Sequence, residues 1–296
     1  MTRSRLSQSL LAAVAFSALG AFSALPSVAQ TEQLFATYDD TNAAIVDNAP
    51  YGEIIGALTV SERGRTLVAY DIAHTQALPF FRQYVTYLES VPVETLNRNE
   101  QLAYWLNTRN VILLQAFAEE RRISGYKRKR GTPNEPGAFW TEKRITVSGV
   151  ELSLQDIEQD ILFAGWNDPN IIYGLYQGIV GGPALPRSAF VGTDVHAQLA
   201  EAGRRFNTLP SNFRVRGSKV RISTYFDWYG DLAFGGEQSN LRQHLVQFAK
   251  SDDVPTLNTA DQFSRKRLST SFERYQPRQA VANSGGVSGG GGGFGS

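Results

Sequence analysis

The sequence predicts a mainly helical α+β domain with a small antiparallel sheet, and three observations carry that expectation. Apolar residues from Leu102 to Phe117 recur at three- and four-residue steps, the period of a helix with a buried face. Ser153-Leu154-Gln155-Asp156 resembles a capping box at the start of a second helix. Phe213–Arg216 and Lys219–Ile222 alternate on either side of Gly217-Ser218, a two-residue hairpin loop with glycine first.

Each element follows in order. Arg3 and Arg5, the apolar stretch Leu10–Leu25 and the small-residue site Ser27-Val28-Ala29 have the parts of a secretory signal, cleaved after Ala29. A periplasmic or secreted protein is therefore expected, with no transmembrane segment once the signal is removed, because no later run is long enough. Residues 30–95 form an N-terminal helical segment. Gln33–Val46 is weakly helical, Thr66–Tyr70 is a short strand or docked segment, and Leu78–Leu88 turns Phe81, Tyr84, Val85 and Leu88 to one side. Residues 96–279 form the core. Its long helix, Asn99–Glu120, has Asn97 or Asn99 as N-cap and Glu100 near the positive end of the dipole. A second stripe, Ala103, Asn107, Asn110 and Leu114, predicts burial on more than one side, with amides that need partners.

Arg121–Arg130 holds 6 basic residues in 10 and is read as a solvated loop after the helix end. Arg144–Val150 is strand-like and leads through Gly149 into a helix with Leu154, Ile157, Ile161 and Leu162 inward. Ile171–Val180 is apolar and is broken by Gly181-Gly182-Pro183. Thr193 or Asp194 caps a helix burying Val195, Leu199, Ala202 and Phe206. After the hairpin come the aromatic run Tyr225–Tyr229, a helix over Asn240–Lys250, and a basic segment, Gln262–Phe272. Residues 280–296 are a glycine-rich tail, where Gly286–Gly290 matches the G-x-S-x-G elbow by chance, with neither the strand nor the helix that motif needs.

Composition narrows the chemistry. The chain has 296 residues and no cysteine, which excludes disulfides, thiol nucleophiles and Cys-ligated metals. Three histidines leave little room for a His-based metal site, and no cofactor is indicated. Lys+Arg 29 against Asp+Glu 28 supplies no global field toward nucleic acid.

Gln101–Asn107 (QLAYWLN) followed by Asn110 resembles the signature helix of the family called domain of unknown function 547. Gly149–Ile161, Asp168-Pro169-Asn170-Ile171, Asp194–Phe206 and Val220–Tyr229 are similar to later segments of that family, in the same order, so that the resemblance runs from Leu96 to Lys250. The resemblance implies His at the position of Ile172, Cys at Gln177 and Gly182, His at Gln159 and Tyr at Arg109, while Asn107, Asn110 and Glu158 are kept. A Cys–His pair beside a carboxylate can activate a thiolate, and this chain lacks both groups at those positions.

The leading expectation is thus an exported, non-catalytic protein binding a small ligand or an envelope partner. Its cleft candidates are Asn107, Arg109, Asn110, Glu158, Tyr173 and Gln177. Arg109 is a natural partner for the carboxylate of Glu158. An alternative is a hydrolase or acyl-transferase that uses Glu158, Asp168 and a histidine. Another is an envelope or matrix protein whose basic loop (Lys127–Arg130) and tail contact anionic polymer. Asp156 and Asp160 read as a cap and a solvated charge. His74, His196 and His244 read as surface or half-buried, and Tyr173, Tyr176, Trp228 and Tyr229 as core packing or, less often for such residues, the lining of a binding groove.

Overall fold

The computed structural model describes residues 28–62, 65–120 and 131–270. Residues 1–27, 63–64, 121–130 and 271–296 lie outside the described residues, and with them most of the expected signal, the basic segment and the glycine-rich tail. Helix α1 spans Val28–Ala36 and α2 Ala49–Leu58. The hairpin β1 (Thr59–Glu62) and β2 (Arg65–Val68) follows. A helical turn over Tyr70–Ile72 widens to π geometry over Ala73–Ala77 and then becomes α3, Leu78–Glu89.

Helix α4, Arg98–Glu119, is the centre of the molecule: 18 of its 22 residues are buried, so it has no solvent face along most of its length. It begins at Asn97, whose side chain accepts from the Glu100 amide at 3.0 Å and satisfies one orphan donor of the first turn. Helix α3 packs along it through Phe81, Tyr84, Val85 and Leu88, the predicted face. The polar stripe finds backbone partners. Asn107 donates to the Phe190 carbonyl at 2.8 Å and accepts from the Phe190 amide at 2.9 Å. Asn110 donates to the Gly174 carbonyl at 2.9 Å and accepts from the Tyr176 amide at 3.2 Å. Two amides on one helix thus dock two loops that have no regular ladder of their own.

Glu100 departs from the expected dipole role. It is 3% exposed, and its carboxylate accepts from the Val46 and Gly192 amides, both at 2.9 Å. Arg98 lies over the Trp166 ring, 3.9 Å from its centroid, and donates to the Phe35 and Gly165 carbonyls. α1 does not continue toward Val46; it ends at Ala36 and is pinned by this arginine.

The β structure is three small sheets. β3 (Ile145–Val147) and β4 (Val150–Leu152) form a hairpin, not a single strand leading into a helix. Ser148 and Gly149 have φ of 48° and 81°, the mirror-image turn that glycine favours in the second place. β5 (Phe213–Arg216) and β6 (Lys219–Ser223) are the predicted hairpin, in the predicted register around Gly217 at φ 56°. β7 (Ser264–Lys266) adds to β6 in parallel, so this sheet is mixed and not purely antiparallel.

Helix α5, Val195–Asn207, buries Val195, Leu199 and Phe206 as expected, but neither Thr193 nor Asp194 supplies a side-chain cap. The Asp194 carboxylate instead accepts from the Thr193 hydroxyl at 3.3 Å. The short helix Ile171–Gly174 packs on α5 and comes close to α4 because Gly174 has no side chain. A Cβ there would stand 2.7 Å from Leu199 Cδ2 and 3.0 Å from Leu106 Cδ2. Helix α6, Gln238–Val246, closes the far side and buries Leu241 and Leu245.

Trp105 is 0% exposed and sits edge-on to Tyr104 at 4.9 Å. Trp105→Ala is expected to cost about 3–5 kcal/mol in urea unfolding, the range for a buried large aromatic. A loss below about 1 kcal/mol would contradict the central position of α4.

Candidate functional site

Glu158 is delivered by a helix of π geometry, Asp156–Phe163. The capping box at its start forms as the sequence predicts: Asp156 accepts from the Ser153 amide at 2.6 Å and from its hydroxyl at 2.7 Å. Lys143 adds an ion pair to the same carboxylate at 2.6 Å. The three acidic residues point to three different places. Asp156 caps and Asp160 is exposed, its carboxyl raised above the usual range first by partial desolvation and then by Asp156. Glu158 turns inward.

There it meets Arg109 of α4. Arg109 Nε and Nη2 converge on Glu158 Oε1 at 2.7 and 2.6 Å, with side-chain exposures of 0% and 2%. The Tyr229 hydroxyl donates to Oε2 at 3.1 Å, and Gln177 Nε2 donates to that hydroxyl at 2.7 Å. Arg109 Nη1 donates to Asn110 Oδ1 at 3.1 Å and to the Tyr176 carbonyl. Burial, with the Glu158 charge as second cause, holds the Tyr229 hydroxyl well above its ordinary pKa, so it stays protonated and can donate. Each buried charge therefore has its counter-charge beside it, the condition under which a buried pair is tolerated.

Four of the six cleft candidates, Arg109, Asn110, Glu158 and Gln177, belong to this single network. The other two do not. Asn107 faces Asn48 and Phe190, and the Tyr173 hydroxyl bonds His244 Nε2 and Asn207 Nδ2, each at 2.9 Å. All six are 0–1% exposed and form packed interior where an open cleft was expected. Cavities of about 510, 430 and 320 Å³ indent the surface, and none of these three is lined by any of the six.

The positions singled out by the family resemblance are close neighbours in part. A Cβ on Gly182 would stand 3.1 Å from the Gln177 Cβ. The Ile172 side chain is fully buried, and its carbonyl accepts from the Tyr225 hydroxyl at 2.6 Å. Gln159 turns away, donating to the Pro133 carbonyl at 3.2 Å.

Asp168 lies apart from Glu158. It accepts from the Asn170 amide at 2.8 Å and lies 3.2 Å from His196 Nδ1. His196 Nε2 lies 3.3 Å from Asn99 Oδ1, and the His196 side chain is 54% exposed. His196 thus pairs with Asp168 across two segments, not with Asp194 beside it in sequence. His74 is half-buried, with Nδ1 2.6 Å from the Ala118 carbonyl at the end of α4. His244 is more buried than expected, at 7% exposure, stacked on Tyr173 at 5.6 Å. Among the described residues no group of three His, Cys, Asp or Glu side chains is placed to hold a metal.

No local signal marks Tyr229 as the bridge between Glu158 and Gln177; within the run Tyr225–Tyr229 it reads as one more aromatic. Glu100 was equally hidden, because a glutamate in a first turn ordinarily faces solvent.

Glu158→Gln is expected to lose about 3–5 kcal/mol in urea unfolding, since it leaves the Arg109 charge buried without a counter-ion. The pair Arg109→Met with Glu158→Leu should lose clearly less, and equal losses would refute the assignment of the cost to the orphaned charge.

Desolvation holds the His244 imidazole down at about 4, with Asp168 opposing weakly. The unfolded chain binds that proton near pH 6.5, so the unfolded state gains protons first on acidification. The stability carried by neutral His244 is complete above about pH 6.5 and falls by about 3 kcal/mol as the pH approaches 4. Urea unfolding at pH 7 and pH 4.5 should show this loss in the parent chain and a smaller one in His244→Gln. Equal losses would overturn it.

No curated protein and no solved structure matches this chain. The resemblance noted in the sequence extends to Lys250, beyond the matched segment, which stops at Phe206 on α5. The family model that matches is "Protein of unknown function, DUF547", over residues 93–206, a segment that contains the whole of α4.

Proposed function

We propose that this is an exported, non-catalytic binding protein in which the DUF547 core serves as a rigid frame. The observation that carries this reading is the buried chain Arg109–Glu158–Tyr229–Gln177, whose polar groups bond to one another and which holds a glutamine at a position where the resemblance implies a cysteine. Glutamine offers no thiolate at 177, isoleucine no proton carrier at 172, and the carboxylate of Glu158 is held by a guanidinium. The leader-like pattern from Arg3 to Ala29 supports export to the periplasm or the medium.

Because the chain has no cysteine, Gln177→Cys would introduce a sole thiol. In the full chain this thiol is expected to react with a maleimide at least about a hundredfold more slowly in native buffer than in denaturant. Labelling at the denatured rate would mean that the interior opens, and the frame reading would fail.

A second reading, a hydrolase using a carboxylate–histidine pair, is favoured by one contact, Asp168 to His196 at 3.2 Å with the ring partly exposed. Among the described residues the other ring nitrogen meets Asn99 and not a hydroxyl nucleophile. Incubation with aryl esters, thioesters and anilides separates the two. No turnover above buffer is expected, whereas turnover abolished by His196→Ala and Asp168→Asn would replace the first reading with the second.

A further inference from the structure

A groove runs between α2 and the helical stretch that contains α3, on the N-terminal side of the DUF547 match. Pro50, Glu53, Ile54 and Ala57 repeat at helical spacing along one wall; Ala77, Phe80, Tyr84 and Tyr87 do so along the other. Its volume, about 510 Å³, is within the range of small-molecule sites, roughly 300–1,000 Å³. Among the described residues six large apolar or aromatic side chains are exposed, and three of them, Ile72, Phe80 and Tyr87, line this groove. Phe80 is 58% exposed. Such a concentration on a protein this size marks a contact surface and not scattered surface residues.

The charges of the groove have one sign. Its ionisable acids are Asp47 and Glu53, and no lysine, arginine or histidine lines it. The Asp47 carboxylate also accepts from the Ala49 amide at 3.0 Å, and the Asp47 amide donates to the Tyr87 hydroxyl at 2.9 Å. This bond places the acid beside the aromatic end of the groove, where the Tyr84 and Tyr87 rings stand 5.9 Å apart at 35°. Glu53 is exposed and makes no hydrogen bond or ion pair among the described residues. The exposed rings of Phe80 and Tyr87 and two carboxylates, over an apolar floor of Ile54, Leu58 and Ala77, suit a cation on an alkyl body.

We propose that this groove is a binding site for an amphiphilic organic cation, an alkyl chain bearing an ammonium head. The proposal does not depend on the buried network of the core, and it would stand if the non-catalytic reading fell.

Decyltrimethylammonium and decyl sulfate, both below micelle-forming concentrations, share a tail and differ in head charge. In calorimetric titration of the full chain, the cation is expected to bind about tenfold more tightly than the sulfate. Glu53→Gln should weaken the cation about threefold and leave the sulfate unchanged or tighter. Phe80→Ala should weaken both, whereas Leu209→Ser, at an exposed apolar residue outside the groove, should change neither. Equal binding of the two heads would overturn the proposal, as would equal effects of Phe80→Ala and Leu209→Ser. Absence of binding, including absence because a second copy or another part of the chain occupies the groove, would overturn it as well.

Discussion

A guanidinium at the middle of the most buried helix imposes the arrangement around it. Arg109 cannot reach water, so each of its donor nitrogens must find a partner from protein. Glu158 supplies one from the π-geometry helix, Asn110 another from the same turn, and the Tyr176 carbonyl a third from the loop after Ile171–Gly174. Glu158 in turn needs the Tyr229 hydroxyl, which draws the segment after β6 into the same cluster. Four stretches distant in sequence are thereby fixed relative to one another by a requirement of charge, whereas apolar packing alone would tolerate several arrangements.

What sequence inspection reveals depends on how local the signal is. The run from Leu102 to Phe117 announces α4 because its period is intrinsic, and the amides at 107 and 110 announce burial because they interrupt an otherwise apolar stripe. The Arg109–Glu158 partnership is legible for a different reason: one unusual cation and one retained carboxylate leave few alternatives. β7 was invisible, since Ser264, Arg265 and Lys266 are all exposed and carry no alternation. The β3–β4 turn was within reach, because Ser148-Gly149 between Ile-Thr-Val and Val-Glu-Leu is a hairpin pattern, but three-residue arms are easily absorbed into a longer strand. The Glu100 clasp and the Tyr229 bridge belong to long-range pairing, and nothing in their neighbourhoods in sequence records it.

The candidate site and the groove occupy different parts of the chain. The polar network lies mostly within the matched segment 93–206, with Tyr229 contributed from outside it. The groove is built wholly from residues 47–87. A buried polar frame and a separately furnished surface are therefore compatible within one molecule.

The carboxylate of Glu100 has a structural meaning beyond its own bonds. It fastens a residue from before the family segment, Val46, and one from late in that segment, Gly192, to the same first turn of α4. Asn48 reinforces the tie, because its side-chain oxygen takes bonds from both Tyr84 and Asn107. Excising residues 93–206 along the borders of the match would sever these fastenings and strip α4 of a flank, so the matched stretch is not an autonomous folding unit.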